Sequence, residues 1–167
     1  MQTPPDQIIA HLHALRIPFD RLAHPPVRSM ADCAPIQKQL GGIMPKNLLL
    51  CPRNQSTFVL CLLRPDAPFR TADISKQLSL SRLTFAAAPH LAQYLRTTPN
   101  ALSPLGLMFP ESAPLRLAID ATLLHAPRLL FHPNISTETL ALSASDFFNI
   151  FLPATHHTPS SLQIAPC

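Results

Sequence analysis

Lys46-Asn47-Leu48-Leu49-Leu50-Cys51-Pro52-Arg53-Asn54-Gln55-Ser56-Thr57-Phe58-Val59-Leu60-Cys61-Leu62-Leu63 is the stretch from which the fold of this chain is read. Two apolar runs, 47–51 and 57–63, flank the polar turn Pro52–Ser56, which is the pattern of a β-hairpin. Neither run is broken by charge, so both strands are expected to be buried. Lys46, one of three lysines, stands where the first strand enters the apolar region. A cation at that place is either a lysine whose stem lies along the strand end with its ammonium in water, or a charge poised to meet an anionic or polarised group.

Upstream, Thr3-Pro4-Pro5-Asp6 supplies an N-cap, proline in the first turn and an acidic third position. Ile8, Ile9, Leu12 and Leu15 recur at helical spacing, so a helix over residues 4–16 is expected. Ile17–Asp20 leaves it extended, and His24-Pro25-Pro26-Val27 excludes helix. Met30–Leu40 reads as a second helix ended by Gly41-Gly42. Downstream, Thr71–Leu78 and 89–95 read as helices and Arg82–Ala86 as a strand. Leu105–Phe109, Leu115–Ile119, Arg128–Phe131 and Thr139–Leu142 read as further strands. Ser143 or Ser145 can cap a helix carrying Phe147, Phe148, Ile150, Phe151 and Leu152. The polar stretch 153–167 is expected to be loose.

At 167 residues and 47% hydrophobic content, the chain suits one domain with one well-filled core. The first residues lack the basic and apolar regions of a signal peptide, and no run reaches membrane-spanning length, so a cytoplasmic protein is expected. Cys33, Cys51, Cys61 and Cys167 form no C-x-x-C pair and are expected as reduced thiols. Thirteen basic against nine acidic side chains, spread along the chain, suit a polyanionic partner without demanding one.

Two other islands set small polar groups among hydrophobics: Ser103-Pro104-Leu105-Gly106-Leu107 and Phe131-His132-Pro133-Asn134-Ile135-Ser136-Thr137. Gly106 inside a strand-like run marks either a bulge or the close approach of a ligand. His132 is expected to be partly buried, and Ser136 and Thr137 to sit on a turn. The histidines lack metal-ligand spacing, so no metal is expected. P-loop, G-x-G-x-x-G and G-x-S-x-G signatures are absent.

Taken in order, Leu15–Phe19 with His24–Val27, Lys46–Leu50, Leu80–Ala86, Ser103–Met108 and Phe131–Pro133 with Thr137 resemble the prolyl-tRNA editing family. These are the YbaK and ProX type deacylases, related to the insertion domain of bacterial prolyl-tRNA synthetases. The resemblance covers nearly the whole chain. It implies a mixed α/β (α+β) single domain, a central curved mixed sheet surrounded by helices, and hydrolysis of a wrongly charged aminoacyl-tRNA without cofactor or metal. The free-standing ProX-like subgroup implies Ala-tRNA(Pro) as substrate. A site shaped for proline cannot strongly reject a smaller side chain, since one methylene is worth only about 1–3 kcal/mol, and a second sieve is needed.

By the same resemblance, Lys46, Gly106 and His132 are the catalytic set. Asn47, Ser103, Leu105, Pro133, Ser136, Thr137 and His24 surround the substrate. Arg28, Lys38 and Arg82 are expected to hold the acceptor stem of tRNA(Pro), and prolyl-tRNA synthetase is a possible partner. The chain departs from the family's His-Pro-x-x-Asn-Thr pattern, with Ser136 in the asparagine position. Two alternatives stay open: a non-catalytic tRNA-binding domain of the same fold, and a hydrolase of small esters.

Overall fold

The computed structural model describes residues 1–68 and 70–164. Helix α1 (Pro4–Ala14) starts with the expected capping box, in which Thr3 and Asp6 satisfy each other's backbone N–H groups. It is followed by β1 (Asp20–Ala23), a 3₁₀ turn at Met30–Asp32 and α2 (Cys33–Leu40). The hairpin is present as β2 (Lys46–Pro52) and β3 (Val59–Leu63), antiparallel, with Leu48 opposite Cys61. Then come α3 (Thr71–Gln77), β4 (Leu83–Phe85), α4 (Ala88–Leu95), β5 (Arg116–Asp120), β6 (Arg128–Phe131) and β7 (Glu138–Ser143). A helical stretch over residues 144–155 follows, π-helical at Phe147–Phe151, and β8 (Ser160–Leu162) completes the order.

The strands form two sheets where one central sheet was expected. One is five-stranded and mixed, in the order β4-β2-β3-β5-β8, and the other is three-stranded and antiparallel, in the order β1-β7-β6. Alternation along the hairpin explains how the larger sheet is buried on both faces. Leu49, Cys51, Leu60, Leu62, Leu117 and Ile119 face the main core, where they meet Leu129, Phe131, Leu140 and Leu142 of the smaller sheet and Ile8 and Leu12 of α1. Leu50, Val59, Cys61, Leu63 and Ala118 face the other way, against Ile74 and Leu78. The outer face of the smaller sheet, Leu130 and Ala141, is covered by Val27, Cys33, Ile36 and Met44. Each fully buried leucine or phenylalanine contributes about 1.5–3 kcal/mol, so these three layers supply the cohesion.

Two expectations are corrected. Residues 105–109 do not form a strand, because Pro104–Met108 is a 3₁₀ helix whose start is capped by Ser103 Oγ accepting from the Leu105 N–H at 3.0 Å. Proline at its first position and a serine cap before it favour a helical turn over a strand. The stretch 153–164 is not loose either. His157 is buried and bonds the Ser112 carbonyl at 3.0 Å, and β8 adds to the sheet edge parallel to β5, with Ile119 opposite Ser161. Residues 165–167, and with them Cys167, lie outside the described residues, while Cys33, Cys51 and Cys61 are free thiols. Burial pushes the Cys61 thiol up to about 12.

Candidate active site

The strand β2 begins at the wall of a cavity of about 260 Å³. Because successive residues of a strand point to opposite sides, Lys46 and Asn47 are held by different loops. Lys46 Nζ donates to the Ala67 carbonyl at 2.9 Å, in the segment after β3, and Asn47 Nδ2 donates to the Leu102 carbonyl at 3.1 Å. The other polar atom of the Asn47 side chain, Oδ1, is buried with no partner among the described residues. Val27, Met30, Cys33, Met44, Leu48, Leu102 and Leu130 supply the apolar wall, while Arg28 and His132 complete the polar one. Burial raises the Cys33 thiol, with nearby Asp32 adding to the effect, which keeps it protonated and non-nucleophilic.

Among the described residues the wall therefore carries two cationic side chains, Arg28 and Lys46, and no carboxylate. Such a lining favours negative charge developing on a bound group. At about 260 Å³ the cavity lies just below the range of roughly 300–1,000 Å³ usual for small-molecule sites, which suits a small group.

His132 follows the last residue of β6, one step past the Phe131–Leu140 pair. Its Nδ1 lies 2.8 Å from the Glu138 carbonyl. A carbonyl only accepts, so Nδ1 carries the hydrogen. Burial pushes the imidazole below its ordinary pKa, the Glu138 hydrogen bond opposes this, and His24 adds to the depression, so the ring is neutral near pH 7.

Of the residues read from the sequence, Lys46, Asn47, Arg28 and His132 meet at this cavity, and the others stand apart. Gly106 is buried, its N–H turns back to the Ser103 carbonyl at 3.4 Å, and a Cβ there would lie 2.8 Å from the Leu95 carbonyl oxygen. Its lack of a side chain permits this close packing against α4. Leu105 is core, Ser103 is the buried cap of the 3₁₀ helix, and Pro133 is buried beside His132. Ser136 and Thr137 offer their backbone carbonyls to the N–H groups of Val27 and His24, fixing the His24–Val27 loop. His24 has both ring nitrogens engaged within the protein, on the Pro25 carbonyl at 2.8 Å and Thr139 Oγ1 at 2.7 Å. Lys38 and Arg82 are exposed and off the cavity wall.

Two of the three islands nevertheless meet at the end of α4, and the first reaches the edge of the second through the Asn47 bond to the Leu102 carbonyl. Gly106 packs on the Leu95 carbonyl, and Asn134, in the left-handed region at φ 59°, donates to that same oxygen at 2.7 Å. Sequence reasoning missed Met44, Leu102 and Leu130 of the wall, and missed Thr139. A hydroxyl in the otherwise apolar run Thr139–Leu142 was the available signal, since a buried hydroxyl needs a partner.

The sequence profile of the aminoacyl-tRNA editing domain matches residues 24–150, which contain every wall residue of the cavity. The chain belongs to that family. It is 27% identical over 154 residues to the prolyl-tRNA synthetase associated domain-containing protein 1 of Danio rerio, covering 91% of this chain and 83% of the relative. It is also 27% identical over 143 residues to the prolyl-tRNA editing protein ProX of Acetoanaerobium sticklandii, covering 86% and 87%. Among solved structures, a candidate trans-editing enzyme for prolyl tRNA synthetase superposes with TM-score 0.72 at 13% identity over 98% of each chain. The hypothetical protein APE2540 superposes with TM-score 0.71 at 13% identity, over 93% of this chain and 98% of the other. At that identity the structures establish the mixed α/β fold alone. No helix among the described residues is long and apolar enough to cross a membrane.

Proposed function

We propose that this protein is a trans-editing deacylase that hydrolyses mischarged aminoacyl-tRNA(Pro), with Ala-tRNA(Pro) as the preferred substrate, in the cytoplasm. The observation that carries this reading is the meeting of Lys46, Asn47 and His132 on a small, cationic cavity that has no carboxylate among the described residues. The acyl group enters the cavity, and the apolar wall of Val27, Met44, Leu102 and Leu130 acts as the size sieve. Water attacks the ester carbonyl carbon, forming a C–O bond, and the bond from that carbon to the ribose oxygen breaks. One water hydrogen ends on the ribose hydroxyl, and the released acid loses its own to solvent.

Lys46, steadied by the Ala67 carbonyl, faces the oxyanion with its remaining N–H donors. Asn47 and His132 orient the acyl group. Arg28 at the mouth takes a phosphate of the acceptor stem. Neither Lys46 nor His132 is a metal ligand in this scheme, and hydrolysis proceeds without metal. Prolyl-tRNA synthetase is the natural source of the substrate and a possible partner.

The test is single-turnover deacylation of alanyl-, seryl- and cysteinyl-tRNA(Pro) by the wild type and by Lys46→Ala. Removing one oxyanion donor is worth about 2.7–4 kcal/mol, so the variant should lose about 10²–10³ in rate with tRNA binding kept. Full deacylation by Lys46→Ala overturns the assignment.

A further inference from the structure

Three adjacent strands place a row of polar side chains beside the cavity. β1 runs antiparallel to β7 with Ala23 opposite Glu138, and the His24 N–H continues the ladder onto the Thr137 carbonyl at 2.9 Å. On the other side of β7, β6 ends with Phe131 opposite Leu140, which brings His132 level with Thr139. Thr139, fully buried, thus sits between two imidazoles whose ring centres are 5.8 Å apart.

The hydrogens in this row are fixed by the two carbonyls at its ends. His24 Nδ1 lies 2.8 Å from the Pro25 carbonyl, so it is the protonated nitrogen and Nε2 holds a lone pair. That lone pair receives the Thr139 hydroxyl hydrogen over 2.7 Å. With its hydrogen committed, Thr139 Oγ1 turns lone pairs to His132 Nδ1, 3.3 Å away, which also donates to the Glu138 carbonyl at 2.8 Å. The opposite nitrogen of His132, Nε2, has no protein partner among the described residues, and the ring lines the cavity.

From this geometry we infer that Thr139, oriented by His24, is a second acceptor that reinforces the Glu138 carbonyl, so that His24 and Thr139 are positioning residues that help to hold His132 as its Nδ1–H tautomer and leave the Nε2 lone pair to accept a hydrogen from the substrate or its attacking water. An imidazole free in water favours the opposite tautomer, so the protein must impose this one. The arrangement gives the cavity a neutral acceptor on a wall that also carries Arg28 and Lys46 and, among the described residues, no carboxylate. It rests on the deacylase reading for what the acceptor meets, but not for the tautomer itself.

The decisive measurement is the tautomer of His132 in long-range ¹H–¹⁵N spectra of the folded protein near pH 7, assigned with His132→Gln, together with single-turnover deacylation of alanyl-tRNA(Pro). Wild type should show a protonated Nδ1 and a bare Nε2. Thr139→Val and His24→Phe each break the row. They should shift the signal towards a mixture and slow deacylation about tenfold, the worth of one hydrogen bond, with tRNA affinity unchanged. Thr139→Ser should restore both. A wild-type Nε2–H tautomer overturns the inference. So does a rate loss in Thr139→Val and His24→Phe without a change of tautomer, or no change in either. A protein that holds the Nδ1–H tautomer and responds to the variants as stated, yet hydrolyses no aminoacyl-tRNA(Pro), supports the positioning row and overturns the deacylase reading alone.

Discussion

Replacing Gly106 by alanine separates two explanations of the same glycine. If the residue were glycine so that a substrate could approach the backbone, the variant would be folded and inactive. The structure gives the opposite expectation. An added Cβ would lie 2.8 Å from the Leu95 carbonyl oxygen, 3.1 Å from Leu95 Cβ and 3.2 Å from Leu95 Cδ2. The leucine side chain can rotate, but the oxygen belongs to the last residue of α4 and can move only with the backbone. It also accepts from Asn134 Nδ2 at 2.7 Å, so a shift loosens that bond as well. Overpacking of this kind costs about 1–3 kcal/mol. For a domain of this size each 1 kcal/mol lowers the melting temperature by about 2–4 °C, so a drop of about 2–12 °C is expected by calorimetry. Deacylation per folded molecule should stay within about twofold of wild type at a temperature well below both transitions, since a residue off the wall makes no transition-state contact. Because both residues act on one oxygen, Gly106→Ala and Asn134→Ala should be non-additive by at least about 0.5 kcal/mol in a double-mutant cycle. An unchanged melting temperature with lost activity would refute this account and return Gly106 to the catalytic set.

Three other outcomes are expected. Asp120 is fully buried, with one oxygen on the Arg64 backbone N–H and guanidinium and the other on Thr122, so Asp120→Ala should cost about 3–5 kcal/mol in denaturant unfolding. Burial depresses the pKa of His132 and His11, so the unfolded chain binds more protons just below the ordinary histidine value. Stability should be full above about pH 6.5 and fall as pH drops towards the depressed values, and His132→Gln should remove part of that fall. Arg28→Ala should weaken tRNA binding and reduce the slope of log K against log salt by about 0.7–0.9, whereas Lys38→Ala and Arg82→Ala, away from the cavity, should change it less.

The hairpin was legible because an unbroken apolar run on each side of a polar turn has few other uses, and Thr3 and Asp6 announced α1 by local chemistry. Lys46, Asn47 and His132 were legible as polar groups embedded in apolar runs, where an uncompensated group must have a purpose. Leu105–Phe109 misled because Leu105 and Leu107 alternate across Gly106 as strand residues do. The serine cap and Pro104 before them, which set the 3₁₀ turn, were the stronger signal. β8 left no trace, since Ser160-Ser161-Leu162 has no pattern of its own and becomes a strand only by pairing with β5. The cavity wall and the His24–Thr139–His132 row depend on strand register across β1, β7 and β6, and no local pattern in the chain records that register.

The position of β8 bears on how the molecule is made. On the ribosome the strands of the larger sheet emerge as β2 and β3, then β4 at one edge, then β5, with β8 at the other edge last. Until residue 162 has left the exit tunnel, the nascent chain carries β5 with one row of backbone N–H and C=O groups open to any passing strand. A stalled or prematurely terminated product ending before residue 160 would hold most of its core and still have an adhesive flank. Translational arrest in this protein therefore yields sticky, nearly complete molecules as substrates for chaperones and proteases.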